Sequence, residues 1–193
     1  GILVNNAGII NDGGASTSER GLVDQSGESW DRMIGINLTG VFNGVSAFGV
    51  GMRERGSGHI VNTASTQGVI TAAGVGSYCA SKFGVVGLSE CLRQELEPHG
   101  VGVSVLCPGV TQTGLVTNSN KLVGKPAADM PPGYGMVAGA VAQMVVAAIE
   151  ANRLHVFTHG EYAAPMQRRH RAMEAAIADV PVSPLFDPDQ PLA

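Results

Sequence analysis

The sequence predicts an α/β fold built on a doubly wound parallel sheet. Three observations carry this expectation. Short apolar runs at 1–5, 58–64, 101–107 and 154–158 alternate with longer helical patterns, and such alternation makes βαβ units around a parallel sheet. Turn residues, Asn5-Asn6-Ala7-Gly8 and Pro108-Gly109, close two of the runs. The chain has 193 residues, 44% of them hydrophobic, enough for one domain with a sizeable core.

The first run, 1–5, reads as a buried strand. Residues 8–27 are rich in Gly, Ser, Asn and Asp and read as a loop. Ser26 is placed to cap one helix running to about Arg55, with Met33, Ile36, Val41 and Val45 along it. The second strand is expected at 58–64. A helix follows at 75–97, with Leu88, Leu92 and Leu96 at i, i+4 spacing, and Pro98 with Gly100 stops it. The third strand, 101–107, ends at Pro108-Gly109. Residues 111–134 read as a long loop with room for a short helix. Then come a helix at 136–151, a strand at 154–158 and a helix at 161–178. The expected domain is 1–180, and 181–193 form a Pro-rich tail with Pro181, Pro184, Pro188 and Pro191.

Composition narrows the partners. The net charge of −4 offers no basic field to nucleic acid or to an anionic membrane. No unbroken run of 18 apolar residues suggests a membrane span. The N-terminal residues lack the basic flank and length of a signal peptide. Cys79, Cys91 and Cys107 are odd in number and lie in apolar patterns. They are expected to be buried, reduced thiols of a cytoplasmic protein. His155 and His159 are four apart, but in a strand-like segment that does not suit a metal site, so no metal is expected. Arg168-Arg169-His170-Arg171 reads as a solvated helix face.

Ligands of a parallel α/β sheet bind beyond the carboxyl ends of its strands. Asn5-Asn6-Ala7-Gly8, Ser65 and Pro108-Gly109 all fall there. Tyr78 and Lys82, four apart on a helix, share one face with Cβ atoms roughly 6 Å apart. Asn37 sits inside a helix, where its residue type is a poor choice, and such local conflicts tend to mark functional sites. In these residues the chain resembles the short-chain dehydrogenase/reductase family. The pattern reads Asn5-Asn6-Ala7-Gly8, Asn37-Leu38-Thr39-Gly40, Ser65, Tyr78-Cys79-Ala80-Ser81-Lys82, then Pro108-Gly109 with Thr111 and Thr113. The resemblance covers residues 1 to about 115.

The resemblance implies a Rossmann-like fold and an NAD- or NADP-dependent oxidoreductase of a small alcohol or carbonyl substrate. It assigns catalysis to Asn37, Ser65, Tyr78 and Lys82. Cofactor binding falls to Asn6, Ala7, Gly8, Tyr78, Lys82, Pro108, Gly109, Thr111 and Thr113. Tyr78 would be the general acid and base, Ser65 would orient the substrate oxygen, and Asn37 would help hold a water-linked proton relay. Lys82 would bond the nicotinamide ribose, and Thr111 and Thr113 would meet the carboxamide. Free tyrosine titrates near 10, and bringing it near 7 takes about 4 kcal/mol. One positive charge at about 4 Å supplies about 4 kcal/mol at an effective dielectric of about 20, so Lys82 is expected to lower the Tyr78 pKa. A homodimer or homotetramer is expected for the full-length protein, packed through the helices at 28–54 and 75–97.

The chain departs from the family pattern at one place. No G-x-G-x-x-G or T-G-x-x-x-G-x-G stretch occurs in it, and Gly100-Val101-Gly102 opens a strand rather than a helix. The expectation is therefore a fold lacking its first βαβαβ nucleotide-binding half, with NAD and NADP undistinguished. A non-catalytic domain that keeps the fold and works by partner binding is the alternative. A lyase on this scaffold would carry Arg where Lys82 stands.

Overall fold

The computed structural model describes residues 1–10, 21–127, 131 and 133–183. The chain divides into two units, Gly1–Gly160 and Glu161–Ala193. The described part of the second unit holds helix α6, Ala163–Ile177, none of whose residues is buried. Pro184, Pro188 and Pro191 of the expected tail, residues 11–20 of the expected first loop, and Met130 lie outside the described residues.

In the first unit, strands β1 (Ile2–Asn5), β2 (Gly58–Thr63), β3 (Val101–Cys107) and β6 (His155–Phe157) form a parallel sheet in the order β1-β2-β3-β6. Ile2 pairs with His59, Gly58 with Val101, and Val105 with His155. β3 is buried along its whole length, so its residues read as a continuous apolar run. Its side chains alternate between faces. Val101, Val103, Val105 and Cys107 meet helices α2 (Gly40–Arg55) and α3 (Gly76–Leu96). Leu106, with Val61 and Val156, meets Val141 and Ala148 of helix α5, Ala138–Glu150. Helices thus lie on both faces of the sheet, but β1 corrects the expectation of a buried strand: as an edge strand it leaves Ile2 and Val4 exposed.

Ser26 caps helix α1 (Gly27–Ile34) by accepting the Ser29 N–H. The single helix expected to Arg55 is interrupted: Gly35–Thr39 is a π turn, and α2 follows it. Asn37 lies within this turn, which explains the conflict its position creates in the sequence. An 18-residue stretch of Gly27–Arg55 is apolar enough on average to cross a bilayer by length and composition. Val41 and Met52 pack against buried sheet residues, so core packing accounts for part of that character.

The loop expected at 111–134 holds the short helix for which it had room, α4 (Leu115–Leu122), and one strand that was not expected: β4 (Thr111–Gln112) pairs in parallel with β5 (Met136–Val137). Two-residue strands leave no periodicity to read. Gly135 makes the pairing possible: its φ is +90°, and a Cβ there would stand 2.8 Å from the Val110 carbonyl oxygen. The cysteine expectation also needs correction. Cys79 and Cys107 are buried, but Cys91 is exposed, because the sheet-facing positions of α3 are taken by Val85, Ser89, Leu92 and Leu96. All three thiols are free.

At the amino end of the sheet, the buried His59 ring shares a 2.8 Å hydrogen bond with Ser104 Oγ, which itself donates to the Arg153 carbonyl at 2.6 Å. Ser104 has spent its proton, so His59 Nε2 must donate. Burial, then the charge of Arg93, lower the His59 pKa from 6.5. The unfolded chain therefore binds the proton more readily, and stability falls as pH drops through about 6.5. Thermal melts between pH 7.5 and 5 should show His59→Gln flattening that decline. A parallel decline in both proteins would contradict the assignment.

Candidate active site

Every expected site residue except Asn37 lines one cavity of about 790 Å³ at the carboxyl ends of the strands. The sheet ladder carries Ser65 there. Ala64 N–H donates to the Leu106 carbonyl and Thr66 N–H to the Pro108 carbonyl, so the chain beyond β2 stays stitched to the Pro108-Gly109 turn. A tight turn at Thr66–Gly68 follows, and Ser65 Oγ accepts the Gln67 N–H at 3.2 Å. Gly68 lets this turn press on α3: a Cβ there would stand 2.7 Å from the Lys82 carbonyl oxygen.

Tyr78 projects from the first turn of α3, buried against Ile9 and Met33. The Ser65 side chain hydrogen-bonds its hydroxyl and favours the phenolate. Burial nevertheless outweighs this bond, and the Tyr78 pKa lies above 10. That corrects the expectation of a pKa lowered by Lys82. The ammonium sits 5.7 Å from the Tyr78 ring centre and donates to the Thr63 carbonyl at 2.9 Å. Lys82 itself is buried, which lowers its pKa to about 8. Cys107 lies beneath it, but burial pushes that thiol up to about 12, so it stays neutral and gives Lys82 no counter-charge.

Asn37 stands behind the cavity rather than in it. Its amide grips the Ile9 backbone at both ends, accepting the N–H and donating to the carbonyl, each at 2.8 Å. Nδ2 also reaches Ser81 Oγ at 3.2 Å, and Ser81 donates to the Tyr78 carbonyl at 2.7 Å. The side chain is thus spent on fixing the Gly8–Ile9 turn relative to α3. On the opposite side Asn5 bonds Asn62 at 2.8 Å and Asn62 bonds Ser89 at 3.0 Å, tying β1 and β2 to α3. Asn6 Oδ1 accepts the Thr63 hydroxyl, Thr111 donates to the Gly109 carbonyl, and Thr113 Oγ1 accepts the Leu115 N–H. Gly109 N–H lies within reach of Thr158 Oγ1 and His159 Nδ1, while His155 bonds Glu90 at 2.8 Å.

The sequence reading missed Gln67, Gly68, Ser81 and Ser119. Only Ser81 carried a signal: a serine in the middle of a helix, beside the Tyr–Lys pair, is out of place unless its hydroxyl has a partner.

The arrangement defines a cavity where a phenol, a serine hydroxyl and a lysine converge at the end of a parallel sheet. Residues 1–123 match the family model described as short chain dehydrogenase. The chain belongs to this family of NAD(P)-dependent oxidoreductases. Among curated relatives, it is 41% identical over 119 residues to the "Probable oxidoreductase EphD" of Mycobacterium bovis, covering 61% of this chain and 19% of that one. It is 42% identical over 115 residues to the acetoacetyl-CoA reductase of Rhizobium meliloti, covering 60% and 45%. The chain therefore spans less than half the length of these relatives. Among solved structures, a short-chain dehydrogenase/reductase of Burkholderia phymatum in complex with NAD has a TM-score of 0.75 at 29% identity, covering 96% of this chain and 70% of that one. A short-chain dehydrogenase of Sphingobium yanoikuyae in complex with NADPH has a TM-score of 0.72 at 26% identity, covering 97% and 68%.

Proposed function

We propose that this chain carries the catalytic part of an NAD- or NADP-dependent oxidoreductase that interconverts a small alcohol and its carbonyl compound. The observation that carries the reading is the convergence of Ser65, Tyr78 and Lys82 on one cavity, with Ser65 bonded to the Tyr78 hydroxyl. The fit to a nicotinamide nucleotide rests on Lys82. Its buried ammonium has three donors, and one is used on Thr63. Two remain for acceptors such as ribose hydroxyls. Thr111, Thr113 and the Pro108-Gly109 turn line the same cavity and would meet the nicotinamide end. When bound, the nucleotide would exchange hydride with the carbinol carbon.

The residues of this chain handle the oxygen. Ser65 holds the substrate oxygen by a hydrogen bond. Tyr78, neutral at pH 7, gives its proton to that oxygen during reduction and recovers it during oxidation. Lys82 places positive charge beside the phenolate left behind. The site is thus poised for carbonyl reduction at neutral pH, while oxidation, which needs the phenolate, rises with pH. Assay of the protein expressed from its complete open reading frame, with NADH and NADPH against a panel of ketones, tests the reading. Oxidation of neither nucleotide by any ketone refutes it.

Named substrates of relatives differ, from acetoacetyl-CoA to a 3-alpha-(or 20-beta)-hydroxysteroid, so none transfers alone. The free thiols fit a reducing, cytoplasmic setting. Assembly as a homodimer or homotetramer through α2 and α3 is part of the proposal: Phe42 and Phe48 are exposed on α2, and Gly87 on α3 faces open space. The 193 residues themselves hold no glycine-rich phosphate turn of the family type, the element that would hold a pyrophosphate. Calorimetry with the 193-residue chain alone should then give no measurable NADH or NADPH binding; micromolar affinity would show that the phosphate turn is dispensable here.

A further inference from the structure

The cavity has a second polar wall that the proton-handling residues leave unexplained, and α4 forms it. The roll of α4 about its axis is fixed from behind. Ser119 is fully buried; its Oγ accepts the Ile10 N–H at 3.1 Å and donates to the Leu115 carbonyl at 2.6 Å. Asn120 is buried beside it, and its Nδ2 donates to the Pro126 carbonyl at 3.0 Å. With 119 and 120 turned inward, Leu115 and Asn118, three residues apart on one helix face, line the cavity. Gly114 leaves room for the amide, since a Cβ there would stand 3.0 Å from Asn118 Nδ2.

The other polar side chains of the wall are engaged within the protein. Asn6 and Thr63 bond each other, Ser65 takes the Gln67 N–H, Lys82 reaches the Thr63 carbonyl, Thr111 the Gly109 carbonyl, and Thr113 the Leu115 N–H. The Asn118 side chain is exposed to the cavity and has no hydrogen-bond partner among the described residues. Lys82 is also the only charged side chain among the described lining residues, and the rest of the wall is largely apolar.

We propose that Asn118 is a specificity-determining residue whose amide bonds a second, uncharged oxygen on the substrate. The site then favours carbonyl compounds that carry a second, neutral oxygen over those that do not. This rests on the oxidoreductase reading above. The amide both donates and accepts, so the second oxygen is a hydroxyl or a carbonyl.

The test uses the protein from its complete open reading frame and two matched pairs of ketones: cyclohexanone with 1,4-cyclohexanedione, and 2-hexanone with 2,5-hexanedione. The diones should be favoured in kcat/KM by about tenfold, the worth of one hydrogen bond between neutral groups. Asn118→Ala and Asn118→Leu should lose that preference through KM, with the monoketone rates and the nucleotide KM unchanged. Equal losses on both members of a pair, or a raised nucleotide KM, overturn the role of Asn118 and leave the oxidoreductase reading standing. Activity without preference for the diones does the same. An enzyme inactive on all four ketones overturns the oxidoreductase reading, and this inference with it.

Discussion

Tyr78→Phe lowers kcat for carbonyl reduction by 10²- to 10⁴-fold, the usual worth of a general acid, while nucleotide affinity stays within about threefold. The substitution is clean because the ring survives. Tyr78 packs against Ile9 and Met33, and phenylalanine keeps those contacts. What is lost is the one hydroxyl that faces Ser65 and holds a transferable proton. Steady-state kinetics with a nucleotide titration check this together. A variant keeping more than about a tenth of wild-type kcat would mean that the proton comes from elsewhere.

Lys82→Met has opposite effects on activity and stability. The buried ammonium titrates at about 8 instead of 10.5. Between these values the unfolded chain holds more protons than the folded one, so wild-type stability rises with pH across about 8 to 10.5. Below pH 8 the charge is carried at a cost of about 3 kcal/mol by linkage. Methionine removes that cost, so the variant should melt no lower than wild type at pH 7 and should lose the rise at alkaline pH. Nucleotide KM should increase, because two donors leave the cavity. The pH–rate profile should lose the limb near 8 that reports the Lys82 ammonium. A variant that melts much lower at pH 7, with that limb unchanged, would reduce Lys82 to a structural residue.

The strands and the motif turns were legible in the sequence because each follows from local rules. β3 is an unbroken apolar run, and Pro108-Gly109 ends it. The order of Ser65, Tyr78 and Lys82 along the chain was also enough to place them in one cavity, since all follow from strand ends and one helix face. What escaped depended on contacts distant in sequence. The π turn at Gly35–Thr39 is held by Asn37 gripping Ile9, 28 residues away. The packing of α4 depends on Ser119 reaching Ile10 across 109 residues. The Tyr78 pKa was misjudged for a related reason: helical spacing fixes where two Cβ atoms lie, but not that Lys82 would turn to the Thr63 carbonyl or that burial would outweigh the Ser65 bond.

The claim that Ser65, Tyr78 and Lys82 serve hydride exchange at a carbonyl carbon is tested most directly by isotope transfer. The protein from its complete open reading frame, given a ketone and NADH or NADPH with both hydrogens at the nicotinamide C4 replaced by deuterium, should return an alcohol with one deuterium on the carbinol carbon. The label should enter on one face only and at a rate that Tyr78→Phe abolishes. An unlabelled alcohol, or labelling undiminished in the Tyr78→Phe protein, would contradict the account.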